Sequence, residues 1–427
     1  MKKVLIFSIA YYPEPVGGAE VAIKEITDRI DPGDIEFHMI TPHYNRAWPE
    51  TEKIGNVIVH RVGFSADNPK LSDRNIPTIL KISKVLYPFT AAWHARKLHK
   101  ELHFDGTWAM MASYASFAAL FFKYLRSDVP YLLELQDGNS LKQIVDRQPP
   151  VQKVILQSVW YFYKQMFLRA DRIKVVSTFL EKLAQEVGYK GPINVVPNAV
   201  DTEKFAKPLS QEEKQRIWDK YGKKEGDIFL FTASRLVLSR GVEEVILSLK
   251  SLPANVKFLV AGSGDDLEKL QKIAQDAGVS DRVIWAGHKT HDDLPALIHA
   301  SDIFVRPSII EGFGNSFVEA MAVGIPVVAT AVGGIPDFLF DPQFNPDEEG
   351  NLVEKRPSQP PTGIFCEVRN PESVAKAVQR ILDDPAMAKE IAANGKKLAL
   401  EKYDWNLIVK NTREKVFEPL FKNTYNQ

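Results

Sequence analysis

Two glutamates, Glu311 and Glu319, stand at the ends of the segment whose residue types most directly suggest chemistry. The segment reads Glu-Gly-Phe-Gly-Asn-Ser-Phe-Val-Glu, follows a predicted strand and opens a predicted helix. Backbone N–H groups at the start of a helix are free to bind a phosphate. Carboxylates accept hydrogen bonds from the paired hydroxyls of a sugar or a ribose. The segment therefore predicts a site for a phosphorylated sugar or a nucleotide; the alternative is a strand–helix turn with solvated carboxylates.

Two arginines supply the positive charge that such a ligand requires. Arg235 follows a predicted strand in the string Ser-Arg-Leu, and Arg240 comes five residues later. A pair of guanidinium groups near a strand end can clamp a diphosphate and stabilise it as a leaving group. Taken alone, the segment would be an ordinary surface loop with two solvated arginines.

A glycine pair, Gly17 and Gly18, lies between the first predicted strand and the first predicted helix. The pair does not match the G-x-G-x-x-G pattern, so a dinucleotide site has little support. We expect the backbone to approach a ligand closely here, and a plain loop is the alternative.

The elements that position these residues alternate between strand and helix. Short apolar runs predict a first series of strands at 4–9, 35–41, 57–62, 107–112, 131–136, 173–177 and 193–196. A second series lies at 228–233, 256–261, 283–285, 303–306, 327–329 and 364–366. This rhythm predicts an α/β fold of two Rossmann-like, doubly wound parallel-sheet domains that face a central cleft. We place the domains at 1–205 and 206–404, with the C-terminal helix 405–427 joining the first, and expect 341–361 to be an exposed insertion loop.

The balance of charged residues excludes one broad class of function. The 427 residues carry 54 basic and 54 acidic side chains, so the formal net charge is zero and a chain-wide basic surface for nucleic acid is absent. Cys366 is the single cysteine, which excludes an internal disulfide and a cysteine zinc site. No apolar run approaches the roughly 20 residues of a membrane-spanning helix. We therefore expect a cytoplasmic protein.

Positive charge is concentrated in the first half, where residues 1–205 hold 26 basic and 22 acidic side chains. Two segments, 81–104 and 151–174, combine Lys and Arg with apolar and aromatic residues at helical spacing. An ordinary helix would bury that apolar face in the core and leave the basic residues in water. The alternative is a surface that contacts anionic lipid or a charged acceptor, with the protein peripheral at the inner membrane face.

Motifs spread over most of the chain resemble those of the retaining glycosyltransferases of family 4. In chain order they are Tyr-Pro-Glu-Pro-Val-Gly-Gly-Ala-Glu at 12–20, Ala-Asp-Arg-Ile-Lys-Val-Val-Ser at 170–177, Val-Pro-Asn-Ala-Val-Asp at 196–201, Ser-Arg-Leu at 234–236, Ala-Gly-Ser-Gly at 261–264, the Glu-x7-Glu string at 311–319, Gly-Ile-Pro-Val-Val-Ala at 324–329 and Val-Gly-Gly-Ile-Pro at 332–336. The resemblance implies the two-domain GT-B fold, with the donor bound mainly by the second domain and the acceptor by the first.

The resemblance also implies roles for individual residues. Arg235 and Arg240 would hold the donor diphosphate, with Arg240 at a position that is usually lysine. Glu311 would bind hydroxyls of the donor sugar, Glu319 would bind those of the ribose, and the strand end at His288 would meet the base. The other donor-binding positions are Gly17, Gly18, Asn198, Gly262, Gly312, Phe313, Gly314, Asn315, Ser316 and Phe317.

The first domain departs from the family pattern at one strand end. Gln136 stands where many members carry a histidine that contacts the transferred sugar, and glutamine exchanges hydrogen bonds but cannot take a proton. Asp137 follows, either as a polar handle for the sugar or as a helix cap. The donor half of the site is therefore typical, whereas the choice of sugar and acceptor stays open.

The resulting hypothesis is a retaining hexosyltransferase that uses a nucleoside diphosphate sugar and an acceptor hydroxyl on a sugar, a glycan or a lipid-linked glycan. The resemblance implies same-face substitution without a metal or other cofactor, and the catalytic set would be Arg235, Arg240, Glu311, Gln136 and Asp137. Two alternatives stay open. One is another GT-B enzyme, a nucleotide-sugar epimerase or a sugar phosphorylase; the other is a nucleotide-sugar-binding protein with weak or no transfer.

Overall fold

The computed structural model describes residues 1–13, 17–69, 76–137 and 160–422. The chain forms two compact units: the first contains the residues up to Asn198 and the segment from Trp405, and the second runs from Ala199 to Asp404. This division falls before the predicted boundary at residue 205. The reason is that Val200 already pairs with the end of the second unit, where its N–H donates to the carbonyl of Tyr403 at 2.8 Å.

One mainly parallel sheet forms the centre of the first unit. Its strands are β1 (Lys2–Phe7), β2 (Ile35–Pro42), β3 (Thr51–Ile54), β4 (Val57–Val62), β5 (Gly106–Met110), β6 (Tyr131–Leu135), β7 (Arg172–Val175) and β8 (Ile193–Val195). They lie in the order β3-β4-β2-β1-β5-β6-β7-β8, and β3 alone among these pairs antiparallel to its neighbour. Residues Val4 to Phe7 of β1 are fully buried, which confirms a strand covered on both faces.

Helices alternate with most of these strands along the chain. They are α1 (Gly18–Arg29), α2 (Thr78–Leu102), α3 (Tyr114–Leu125), α4 (160–168) and α5 (Thr178–Glu186). Serine caps explain where two of them begin. The hydroxyl of Ser113 accepts from the N–H of Ala115 at the start of α3, and that of Ser177 accepts from the N–H of Leu180 at the start of α5.

Helix α2 shows which side of segment 81–104 is buried. It packs through Tyr87 and the small residues Ala91, Ala92 and Ala95, all of them buried. The large apolar residues face solvent instead, with exposed fractions between 41% and 61%. We call this surface the α2 apolar patch; its members are Ile82, Val85, Leu86, Phe89 and Trp93. The expectation that an ordinary helix would bury this face is therefore wrong, because small residues on the opposite side make the helix contacts.

The second basic segment, 151–174, is described from residue 160 onward, and its residues 151–159 lie outside the described part of the chain. In α4, the ring of Phe162 packs edge-on against Phe121, with ring centroids 6.5 Å apart. Phe121 in turn stacks on Phe89 of the α2 apolar patch, at 4.9 Å. Within the described ranges, no helix is both long enough and apolar enough to cross a membrane.

A parallel six-stranded sheet forms the centre of the second unit. The strands of this unit are β9 (Ile228–Ala233), β10 (Val256–Ala261), β11 (Val283–Gly287), β12 (Ile303–Arg306), β13 (Val327–Thr330), β14 (Phe344–Pro346), β15 (Leu352–Glu354) and β16 (Ile364–Cys366). The sheet order is β11-β10-β9-β12-β13-β16. Its helices are α6 (Thr202–Ala206), α7 (Gln211–Tyr221), α8 (Val242–Ser248), α9 (Leu267–Asp276), α10 (Leu294–His299), α11 (Asn315–Val323), α12 (Pro371–Asp383) and α13 (Pro385–Lys402).

The proline-rich segment 341–361, which we expected to be an exposed loop, contains two short strands. Strands β14 and β15 pair antiparallel within it. Asp341 is fully buried at its start, and both carboxylate oxygens accept from the guanidinium of Arg380 at 2.9 Å. The same carboxylate accepts backbone N–H groups of Gln343 and Phe365. This ion pair joins the start of the segment to α12. The prolines and charges of the segment do not predict such a contact.

The C-terminal segment belongs to the first unit. It consists of α14 (Trp405–Thr412), a π-helical turn (Arg413–Phe417) and α15 (Glu418–Lys422). The ring of Phe417 lies against Trp108 and Phe37, with centroid distances of 5.5 and 6.0 Å. The segment therefore completes the hydrophobic core beside strands β2 and β5.

Candidate functional site

The carboxylate of Glu311 is held by three donors in the second unit. It lies in the loop between β12 and α11 and is 9% exposed. Its Oε2 accepts from Arg240 at 2.8 Å, from Arg306 at 3.1 Å and from the hydroxyl of Ser308 at 3.2 Å. Within the described residues, Oε1 accepts no hydrogen bond. One oxygen of Glu311 is thus fixed by the protein, and the other is available to hydroxyl groups of a ligand.

Arg306 connects this loop to the helix that follows it. It is the last residue of β12, and its Nη1 donates to the hydroxyl of Ser316 at 2.5 Å and to the carbonyl of Ala233 at 3.2 Å. The guanidinium lies over the ring of Phe317 at 4.2 Å. Burial lowers the pKa of Arg306 below its usual value, and the neighbouring Glu311 carboxylate opposes that shift.

A glycine turn forms the start of α11. Gly314 precedes the helix with a φ of 98°, and no side chain caps it. A Cβ on Gly314 would lie 2.5 Å from the ring of Phe317, so only glycine fits this turn. The N–H groups of the first helical turn, beginning at Asn315, carry the partial positive charge of the helix dipole. The geometry suits an anion, as the sequence predicts.

Glu319 lies one turn into α11, where it is 5% exposed. Its Oε1 is 3.1 Å from Nε2 of His291. His291 follows β11 and packs its ring against Phe205, at a centroid distance of 5.3 Å. The second carboxylate of the motif is therefore also oriented by a basic side chain.

The other predicted donor residues lie at the carboxyl ends of neighbouring parallel strands, which meet at one edge of the sheet. Arg235 is exposed two residues after β9, and His288 is exposed directly after β11. Gly262 follows β10 and donates its N–H to the carbonyl of Gly287 at 2.9 Å. A Cβ on Gly262 would lie 1.9 Å from the carbonyl oxygen of Ser234, so glycine here permits the close approach of two strand ends.

The charges at this edge favour a polyanion. Arg235, Arg240 and Arg306 contribute three guanidinium groups, whereas Glu311 and Glu319 contribute two carboxylates. Arginine keeps its charge in proteins, and its planar guanidinium matches phosphate geometry. The edge therefore carries one excess positive charge, with which a diphosphate can pair while the carboxylates accept hydroxyl groups.

The remaining predicted site residues lie in the first unit, where Gln136 and Asn198 exchange hydrogen bonds. Nδ2 of Asn198 donates to Oε1 of Gln136 at 2.7 Å, and Nε2 of Gln136 donates to Oδ1 of Asn198 at 3.1 Å. Asp137 is exposed beside them. Whether Asp137 caps a helix lies outside the described residues, because the description stops there and resumes at residue 160.

Gly17 makes a local structural contact at the start of α1, and Gly18 is the first residue of that helix. Gly17 precedes α1, and its N–H donates to the carboxylate of Glu20 at 2.8 Å. This contact is a helix-start hydrogen bond. Residues 14–16 of the same motif lie outside the described part of the chain.

Several polar residues of these sites were missed by sequence reasoning. Arg306, Ser308 and His291 orient the two glutamates of the second unit. In the first unit, Glu134 and Lys174 form a buried ion pair next to Gln136. For Arg306 and Glu134 the available signal was a charged residue in an otherwise apolar strand, in Ile-Phe-Val-Arg and Tyr-Leu-Leu-Glu-Leu. Lys174 alternates with apolar residues in Arg-Ile-Lys-Val, and Ser308 and His291 lie outside the strands.

Comparison with known families matches both units. A family model described as "Glycosyltransferase Family 4" matches residues 16–204, and one described as "Glycosyl transferases group 1" matches residues 213–398. The chain belongs to glycosyltransferase family 4. The two family models cover most of both units of this glycosyltransferase, and the predicted membership of family 4 is confirmed.

Similar proteins include two uncharacterized glycosyltransferases of Methanocaldococcus jannaschii. One is 25% identical over 98% of each chain, and the other is 32% identical over 222 residues, 52% of each chain. A GDP-mannose-dependent alpha-(1-6)-phosphatidylinositol monomannoside mannosyltransferase of Mycobacterium tuberculosis is 28% identical over 56% of this chain and 59% of that protein. The chain thus aligns with nearly all of the first of these relatives and with about half the length of the second and third.

Solved structures show the same fold at low sequence identity. Sucrose-phosphate synthase of Thermosynechococcus elongatus superposes with a TM-score of 0.77 at 18% identity, covering 99% of this chain and 100% of that one. HepE of Anabaena in complex with UDP-glucose gives a TM-score of 0.74, also at 18% identity, covering 98% and 100%. This family 4 glycosyltransferase therefore has the GT-B fold, as predicted.

Proposed function

We propose that this glycosyltransferase moves a hexose from a nucleoside diphosphate sugar to an acceptor hydroxyl with retention of configuration. The observation that carries the proposal is the placement of Glu311. Its carboxylate is fixed through one oxygen by Arg240, Arg306 and Ser308, next to a helix start that favours anions. Hydroxyl-binding and phosphate-binding groups therefore adjoin, as a sugar phosphate requires.

Stabilisation of the leaving diphosphate would make the largest contribution to the rate of transfer. Arg235, Arg240 and the amides at the start of α11 would bear the charge that develops on the diphosphate. The bond from the anomeric carbon to the phosphate oxygen would break, while the acceptor oxygen bonds to the same face of that carbon. The acceptor proton would pass to the departing phosphate oxygen. All bonds and the proton are then accounted for without a protein base or a metal ion.

The acceptor would bind on the first unit and would be a carbohydrate or a lipid-linked carbohydrate. The α2 apolar patch supports a lipid component, since five large apolar side chains face solvent there. Lys81 and Lys84 lie on the same helix, and Nζ of Lys97 lies 3.5 Å over the ring of Trp93. An exposed apolar face with adjacent lysines is typical of a surface that contacts an anionic bilayer. We propose such a peripheral contact for α2.

A second candidate function is nucleotide-sugar binding with weak transfer. Gln136 favours it, because it cannot take up a proton and both of its N–H groups are engaged by Glu134 and Asn198. A slow turnover of bound donor over hours, despite tight binding of the nucleoside diphosphate, would favour this candidate over the transferase. Dependence on inorganic phosphate would instead indicate a phosphorylase.

A thermal-shift panel tests the proposal first. UDP, GDP, ADP, dTDP and their common hexose conjugates would be added to the whole chain. A ligand at a hundredfold excess over its dissociation constant stabilises the folded state by about 2.7 kcal/mol. The Glu311→Gln variant should lose the extra stabilisation that the sugar gives beyond the nucleotide. Glu225→Gln, at an exposed carboxylate in the same unit, is the matched control. If no nucleotide or nucleotide sugar changes the melting temperature, the proposed function fails.

A further inference from the structure

A fully buried ion pair lies within the sheet of the first unit. Glu134 of β6 and Lys174 of β7 are register partners, and Nζ of Lys174 is 2.6 Å from Oε1 of Glu134. Both side chains have no exposed area. The indole N–H of Trp108 donates to the other carboxylate oxygen at 2.9 Å. Buried ion pairs contribute little net stability compared with apolar residues of similar size. The role of this pair therefore lies in the residue that it contacts.

The pair contacts the amide of Gln136. Nε2 of Gln136 donates to Oε1 of Glu134 at 2.6 Å. A carboxylate facing a lysine only accepts hydrogen bonds, so the amide nitrogen of Gln136 must be the group that faces it. The second N–H of this amide donates to Oδ1 of Asn198 at 3.1 Å, and Nδ2 of Asn198 donates back to Oε1 at 2.7 Å. One set of amide orientations satisfies all of these contacts.

This arrangement determines what Gln136 can offer to a ligand. Both N–H groups of the amide are used within the protein, whereas its oxygen accepts one hydrogen bond and has a second lone pair. Gln136 is half-buried just beyond the carboxyl end of β6, and the adjoining Asp137 is exposed. The carbonyl oxygen is thus the atom of this side chain that remains for a ligand.

We propose that Glu134 and Lys174 are positioning residues that lock the Gln136 amide with its oxygen toward the substrate. Gln136 then binds a sugar hydroxyl only as an acceptor, and it selects a substrate that donates a hydrogen bond at that position. This inference rests on the proposed function, because it assumes that a sugar binds at this strand end. It adds the direction of the hydrogen bond and the two buried residues that set it.

Deoxy and deoxyfluoro sugars test the direction of that hydrogen bond. Neither a C–H nor a C–F group donates a hydrogen bond, so an acceptor on the protein rejects both. The probes are UDP-glucose and GDP-mannose with their deoxy and deoxyfluoro analogues at each hydroxyl, and the measurements are dissociation constants and donor hydrolysis. At one position, the wild-type protein should bind both analogues about two- to tenfold more weakly than the parent sugar. Gln136→Ala should remove the discrimination at that position, whereas Gln185→Ala, at an exposed glutamine of α5, should not.

Variants of the ion pair test the positioning role. The double variant Glu134→Gln/Lys174→Met keeps the site neutral and removes the lysine that donates to Oε1 of residue 134. The amide oxygen of Gln at position 134 can then accept from Trp108 while its N–H donates to Gln136, so the Gln136 amide can reverse and present an N–H that tolerates fluorine. The expected result is loss of the preference for the parent sugar over its deoxyfluoro analogue, with the nucleoside diphosphate bound as in the wild type. The proposal is overturned if the folded double variant keeps the wild-type preference, or if Gln136→Ala does. Failure of the proposed function is distinguishable, since then neither parent sugar binds any form of the protein.

Discussion

Arg306 and Glu311 form an ion pair between the end of a buried strand and the loop that leads into α11, with Nη2 and Oε2 3.1 Å apart. The two residues are five positions apart, so the pair fixes the shape of the loop itself. Arg306 also holds Ser316 at the helix start. The position of the carboxylate relative to the helix amides is thus set before any ligand binds, and preorganised charge of this kind stabilises a transition state without rearrangement.

Replacing Glu311 should abolish transfer and leave the fold intact. Glu311→Gln keeps the shape of the side chain but removes the charge that Arg240 and Arg306 share. We expect kcat/KM to fall by about a hundredfold or more, measured as nucleoside diphosphate release. Glu225→Gln serves as the control, and near-ultraviolet circular dichroism verifies folding. Turnover at the wild-type level by Glu311→Gln would contradict the role given to this carboxylate.

Arg235 should contribute to donor binding without contributing to stability. Its side chain is exposed, so Arg235→Ala should change the free energy of unfolding by no more than about 0.5 kcal/mol. Loss of one charge-assisted hydrogen bond to a diphosphate should weaken binding about ten- to a hundredfold, measured by calorimetry with UDP and GDP. Arg216→Ala, at an exposed arginine of α7, should leave the affinity unchanged. Equal affinities of the two variants would rule out a diphosphate contact by Arg235.

Arg306 should matter for stability as well as for activity. Arg306→Met fills a similar volume but leaves the buried Glu311 with fewer donors and frees the hydroxyl of Ser316. Removing one member of a buried pair costs about 3–5 kcal/mol. The melting temperature of the second unit should therefore fall, and calorimetry would detect it. A melting temperature equal to that of the wild type would mean that solvent reaches Glu311 in the variant and that the pair is dispensable.

Acidification should destabilise the first unit through His60. Burial lowers the pKa of His60 to about 4, and the nearby His38 and His94 lower it further in the same direction. The unfolded chain binds this proton near pH 6.5, so the folded state loses stability as the pH falls from about 6.5 to about 4. Above that window the contribution is fully present. His60→Gln should reduce the difference between the melting temperatures at pH 7 and pH 5; an unchanged difference would assign the acid sensitivity to other groups.

The α2 apolar patch should bind anionic vesicles. Val85→Ser/Trp93→Ser changes two side chains that are 56% and 58% exposed, so stability should be preserved while co-sedimentation with phosphatidylglycerol vesicles declines. Each lysine replaced by glutamine at positions 81, 84 and 97 should weaken binding about fivefold, equivalent to about 1 kcal/mol. Equal binding to neutral and anionic vesicles would remove the electrostatic part of the proposal. Leu400→Ser, at an exposed residue of the second unit, is the matched control.

Most of the architecture follows from local sequence patterns, but pairing between strands does not. The run from Val4 to Phe7 indicates a buried strand by its apolar character alone. By contrast, Glu134 and Lys174 become partners only through the register of β6 and β7. The two donor-site glutamates could be predicted because both lie in one short motif. Arg306 could not, because its contact with Glu311 depends on the shape of the loop between them.

The α2 apolar patch shows why helical periodicity can mislead. Ile82, Val85 and Phe89 have the spacing of a core-facing stripe, yet they are exposed. Small residues allow a closer approach between helices than large ones do, so α2 packs through its alanines. Periodicity locates an apolar face of a helix, but it does not determine whether that face is buried in the protein or exposed at its surface.

The course of the chain has a consequence for biosynthesis. The second unit is continuous from Ala199 to Asp404, and its two ends meet where Val200 bridges Asp404. The first unit is instead assembled from two pieces, and Phe417, which packs against Trp108, is translated after the whole second unit. The hydrophobic core of the first unit can therefore be completed only after the whole second unit has been synthesised.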